Sequence, residues 1–149
     1  MADLTTTITE SVILNGSTRG SSNTITTTGI VDVMERILTL AHTNTTTIAT
    51  FSSTPHGAAG ALDVENAKYI RLTNLSATSD MILAFVTSGT NYQVTVRAGG
   101  SHVLFQAEDG VLGEADSTPA FSGLADIVTI QARPSASEDV QVEIFVGLV

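Results

Sequence analysis

The chain reads as an all-β protein, a single-domain β-sandwich of jelly-roll type with about eight to nine strands. Three observations predict this. From Ala67 onward the sequence is a series of short apolar-alternating segments cut by turn residues. The last of these, Val140-Gln-Val-Glu-Ile-Phe-Val146, carries an aliphatic residue at every second position. A period of two sends alternate side chains to a buried face and to solvent. Finally, the 149 residues suit one domain, long enough to bury about two-thirds of the unfolded surface in a single core.

Taken in order, Leu4 to Leu14 is the first strand, with Leu4, Ile8, Val12 and Leu14 on one face and Thr5, Thr7 and Thr9 on the other. Glu10 interrupts the apolar row. The segment from Asn15 to Ser22 is dense in turn residues and reads as a loop. Residues 1–22 therefore form an N-terminal arm or an exchanged strand, and a second threonine-rich strand begins at Asn23. The stretch from Ile30 to Ala41 also fits the i, i+3, i+4, i+7 stripe of a helix. Its β-branched Val31, Val33, Ile37 and Thr39 favour strand, with a bulge at Gly29 and a phase change near Met34-Glu35.

Thr43 to Ser52 is a further strand, followed by a loop to Gly60. The remaining strands run over Tyr69–Leu75, Met81–Thr87, Tyr92–Arg97, Ser101–Gln106, Ile127–Ala132 and Val140–Val146. Gly99-Gly100 is expected to close a tight hairpin between the strands on either side. Met81-Ile-Leu-Ala-Phe-Val is apolar on both faces, as in a central strand or one lying in a subunit interface. Ala107 to Gly123 is the longest loop, and Phe51, Phe85, Phe105 and Phe145 read as core.

Composition narrows the function. Only 14% of residues are charged, the formal net charge is −9, and the single lysine and five arginines are scattered. Nucleic-acid affinity requires several phosphates to be neutralised together, so nucleic acid is not an expected partner. No apolar run approaches the roughly 20 residues of a membrane span, and the start lacks the basic and apolar regions of a secretory signal. The absence of cysteine excludes disulfides, thiolate metal sites and cysteine nucleophiles.

Catalytic, cofactor and metal signals are weak. Glu108, Asp109, Glu114 and Asp116 surround two glycines, but their spacing matches no Ca²⁺ ligand loop and reads as a solvated acidic segment. His42, His56 and His102 lie far apart. Gly99-Gly-Ser-His102 supplies one histidine where the metal site of a cupin needs a pair, so His102 reads as a half-buried strand residue. Adjacent Ser101 and His102 point to opposite faces of a strand and cannot act as nucleophile and base. No catalytic residue, cofactor or metal is assigned, and the protein is expected not to be an enzyme.

The succession Lys68-Tyr-Ile-Arg-Leu-Thr-Asn-Leu75, Ile82-Leu-Ala-Phe85, Val96-Arg-Ala-Gly-Gly-Ser-His-Val-Leu-Phe105, Asp126-Ile-Val-Thr-Ile-Gln-Ala132 and Asp139-Val-Gln-Val-Glu-Ile-Phe-Val146 resembles small virion proteins of tailed bacteriophages. It covers roughly Ala67 to Val149. The resemblance implies a capsid decoration or cement protein, made in the host cytoplasm and located in the virion. Its implied partners are further copies of itself, as a homotrimer, and the major capsid protein. The arm could then add to a neighbour's sheet edge, making Leu4, Ile8, Val12 and Leu14 the candidate subunit or capsid contacts. Deletion up to Gly16 is expected to weaken assembly. A tail or head-completion virion protein is the nearest alternative, a carbohydrate-binding β-sandwich the next, and a cupin-like enzyme the third.

Overall fold

The computed structural model describes residues 1–54, 57, 59–114 and 117–149. Among them are thirteen strands and no helix. Nine strands build two facing sheets and the first four build a separate ribbon.

The ribbon is one long hairpin. Strands β1 (Ala2–Thr9) and β4 (Ser22–Ile30) pair antiparallel, and β2 (Val12–Leu14) and β3 (Ser17–Arg19) continue the same register to the tip. Asn15 and Gly16, with φ of 50° and 76°, close it in the doubly positive geometry of a type I′ turn, whose twist matches that of the strands. Glu10 marks the break between β1 and β2. There its N–H donates to the Ser21 carbonyl at 2.9 Å. A Cβ at Gly20 would stand 2.0 Å from the Glu10 carbonyl oxygen, so only glycine lets the two backbones approach this closely. The expected bulge at Gly29 is present as a register shift between Ala2 and Leu4, opposite Ile30 and Thr27.

With only Val31 between, β4 passes into β5 (Asp32–Leu40), which is strand along its full length. The Val31 N–H donates to the Leu148 carbonyl, joining ribbon and sandwich. The expected phase change at Met34-Glu35 does not occur. β5 pairs with β13 (Val140–Leu148) in one unbroken register from Leu40↔Val140 to Asp32↔Leu148. The apolar pattern misled because Val33 and Ile37, 44% and 58% exposed, lie on the outer face of this sheet.

The remaining strands are β6 (Thr46–Ser52), β7 (Leu62–Asp63), β8 (Ala67–Asn74), β9 (Met81–Val86), β10 (Asn91–Val96), β11 (Ser101–Leu104) and β12 (Thr129–Pro134). One sheet has the order β11-β8-β13-β5, the other β10-β9-β12-β6-β7. Every pairing is antiparallel except the short β6–β7 contact. The inner faces contribute Ile70, Leu72, Leu83, Phe85, Ile130, Val142 and Ile144, all fully buried, to one continuous core. β9 is central within its sheet, but its outer residues Ile82, Ala84 and Val86 are half-buried rather than covered by a further layer.

Gly99-Gly100 does not close a hairpin. The Gly100 N–H donates to the Arg97 carbonyl at 2.8 Å and Gly99 has a φ of 71°, giving a type II-like turn. Such a turn splays its flanking strands, so β10 stays in one sheet and β11 crosses to the other. Phe51 and Phe85 are core, as expected. Phe105 and Phe145 are not: they flank Tyr69 on the outer face of the β8 sheet, at ring centroid distances of 5.8 and 5.9 Å, edge to face.

The motif Ile70-Arg-Leu-Thr-Asn74 on β8 is structural throughout. Ile70 and Leu72 enter the core, while Arg71 pairs with Glu143, donates to the Thr73 hydroxyl and lies over the Phe145 ring. Asn74 is fully buried, and its amide group donates to the carbonyls of Ser79 and Val96 while accepting from the Ser76 N–H.

Candidate self-association surface

The chemistry of this surface begins with what the ribbon leaves uncovered. An isolated two-stranded hairpin is marginal in water because neither face is buried. Here no residue from Thr5 to Thr28 is buried. At about 3.3 Å per residue, Thr5 to Leu14 alone spans roughly 30 Å.

Its two faces differ. One is hydroxylic, with Thr5, Thr7 and Thr9 opposite Thr26, Thr24 and Ser22. Two of these pairs are hydrogen-bonded, Thr7–Thr24 at 3.0 Å and Thr9–Ser22 at 2.8 Å. β-Branched cross-strand pairs of this kind support a ribbon without a core. The other face presents Leu4, Ile8, Val12 and Leu14, joined by Ile25 from β4.

The four predicted contact residues thus share a face but not a role. Leu4 is half-buried and packs with Ile30 over Gly147, anchoring the ribbon to the sandwich. Ile8, Val12 and Leu14 are about half exposed. The expected addition of β1 to a neighbour's sheet edge meets a constraint: one edge of β1 is already taken by β4 of its own chain. Several exposed apolar residues escaped the sequence reading. Ile13 is 74% exposed at the tip and Ile25 lies beside Thr6. The apolar run Val12-Ile-Leu14 beside the turn pair Asn-Gly was the signal for Ile13, since a two-stranded hairpin tip has no layers to cover both of its faces.

A second uncovered region lies at the sandwich end formed by the loop after β11. A shallow depression of about 340 Å³ is lined by Tyr92, His102, Leu104, Val111, Leu112 and Leu124, among others. An adjoining one shares Leu112 and Leu124 and reaches Phe121, which is 91% exposed at a φ of 53°. Phe121 was hidden in sequence by its Pro, Ser and Gly neighbours, which read as a polar loop.

His102 is on β11, half-buried, with its ring 5.3 Å from that of Phe85 in the opposite sheet. Ser101 points the other way, toward the Thr73 hydroxyl. The Nε2 atom of His102 is buried without a hydrogen-bond partner among the described residues, and burial pushes its pKa below the ordinary value. The folded state therefore resists protonation while the unfolded state accepts it near pH 6.5. Stability from this group is complete above that pH and is lost as pH falls through the lower folded-state pKa. Urea denaturation at pH 7.5 and 5.5 is expected to show a loss that His102→Phe reduces, without destabilising the protein at the higher pH.

Acidic residues of the loop do not converge. Glu108 faces Lys68 at 3.7 Å, Asp126 accepts from the Asp109 backbone N–H at 2.9 Å, and Glu114 accepts from the Ala120 N–H. Asp116 and His56 lie outside the described residues. Among the described residues, no three His, Cys, Asp or Glu side chains are placed to hold a metal ion. His42 donates from its backbone and shares a ring hydrogen bond with Asp139, which holds that exposed carboxyl below its usual range. This contact joins the β5–β6 loop to the last turn. No helix among the described residues is long and apolar enough to cross a membrane. Compared with protein-family models, with curated proteins and with solved structures, the chain matches none.

Proposed function

We propose that the chain is a structural component of a tailed-bacteriophage particle, a decoration or cement protein that clamps the capsid shell and has no catalytic role. The observation that carries this reading is the exposed ribbon: a hairpin built from nearly a fifth of the chain, with no residue from Thr5 to Thr28 buried, on a sandwich whose continuous core lies outside it. Such an element costs exposed apolar surface and gains stability only when something covers it. The strand orders β5-β13-β8-β11 and β6-β12-β9-β10 also support reading the winding as a jelly roll, an architecture common in capsid proteins. Weakly charged polar faces suit repeated contacts, each modest, multiplied by copy number.

Co-sedimentation with tailed-phage capsids assembled without this protein tests the reading. Saturable binding, reduced at least about tenfold when residues 2–29 are removed, is expected where the ribbon contributes to the contacts that hold the assembled layer on the shell. The shortened chain should still unfold cooperatively, because the core residues lie beyond the ribbon. Absence of capsid binding, or binding to glycans that free sugar blocks, would overturn it.

A further inference from the structure

We propose that the tip of the ribbon seats in the loop-end depression of a second copy of this chain, so that self-association runs head to tail. This deepens the reading above by naming the ribbon's partner, and it rests on that reading only for the location of the assembly.

The two surfaces are complementary in polarity and charge. Register places Val12 opposite Arg19 and Leu14 opposite Ser17, so one face of the tip combines two aliphatic side chains with a cation. Leu112 and Leu124 line both adjoining depressions, and Glu114 lines the one that reaches Phe121. From Ala107 to Asp126 the chain carries five acidic residues and no lysine or arginine. An apolar knob with one positive charge thus meets an apolar hollow beside the Glu114 carboxylate, which orients the encounter and disfavours the reverse docking.

The contact is made between copies. Within its own chain the tip is uncovered, with Val12 and Leu14 about half exposed and Ile13 more so, and Leu124 is 52% exposed. The tip and the depression are different surfaces, so a single head-to-tail contact leaves one of each free for the next copy. The series closes into a ring where the rotation permits and otherwise extends as a chain.

The absence of cysteine permits a direct test. Leu14→Cys and Leu124→Cys chains are mixed and mildly oxidised, with Leu14→Cys plus Val33→Cys as control. A mixed disulfide dimer joining positions 14 and 124, in excess over the control, is expected. No excess would overturn the proposal. In sedimentation equilibrium, Arg19→Glu should weaken self-association about tenfold, and Glu114→Arg in the same chain should recover most of it. Self-association unchanged by Arg19→Glu would count against it. The same variants are carried through the capsid assay. Cross-linking without capsid binding leaves this contact standing and removes the decoration reading. Ribbon-dependent capsid binding without cross-linking assigns the tip to the shell protein and removes this inference.

Discussion

Phe85→Ala is expected to lower the unfolding free energy by about 3–5 kcal/mol, a large fraction of what a domain of this size possesses. Phe85 is fully buried on β9 and is contacted from both layers. Tyr92, directly opposite on β10, stacks on it at 5.9 Å, and His102 reaches it from the facing sheet at 5.3 Å. Alanine removes the ring on which both depend and leaves a cavity between two hydrogen-bonded sheets that cannot collapse freely. Urea denaturation at pH 7.5 measures the loss. Phe85→Leu should cost much less, since it retains most of the volume. A loss below about 1 kcal/mol for the alanine variant would mean that the sheets do not meet at this side chain.

Asn74→Ala is expected to cost about 3 kcal/mol although it removes almost no apolar surface, because buried carbonyls lose their donors. The side-chain amide reaches the Ser79 carbonyl at 2.8 Å and the Val96 carbonyl at 3.1 Å. Its oxygen holds the Ser76 N–H at 2.9 Å. One residue therefore fixes the turn after β8 and the exit of β10. Asn74→Asp should be at least as damaging, since it keeps the acceptor but sets a buried negative charge against two carbonyl oxygens. Hydrogen exchange at Ser76 and Ser79 would rise selectively if this account holds. Uniform acceleration throughout the sandwich would point to a general packing defect instead.

Strands were legible wherever one face is buried and the other wet. Val140 to Val146 and Tyr69 to Leu75 alternate in sequence because they alternate in space, and their ends fell within a few residues of the observed ones. Legibility failed where apolar residues serve something other than the core. Val33 and Ile37 on the outer face suggested a phase change that β5 does not have. Phe105 and Phe145 looked internal but surround Tyr69 outside the sandwich. Strand partnership was also hidden. Gly99-Gly100 has hairpin composition, and the sign of one dihedral, together with which sheet still lacks a strand, decides that the chain crosses over. At the candidate surface, the common face of Leu4, Ile8, Val12 and Leu14 was readable from spacing. That Leu4 is anchored while Ile13 and Phe121 are free depends on contacts distant in sequence.

The single residue separating β4 from β5 has a mechanical meaning. A tug on the finger enters the sandwich through Asp32 and is passed to the ladder with β13. Rungs of an antiparallel ladder lie across the strand, so a lengthwise load is shared among them and does not peel them one at a time. Nine residue pairs hold that seam in unbroken register. A pull on the finger that runs along β5 is therefore carried in shear by that seam.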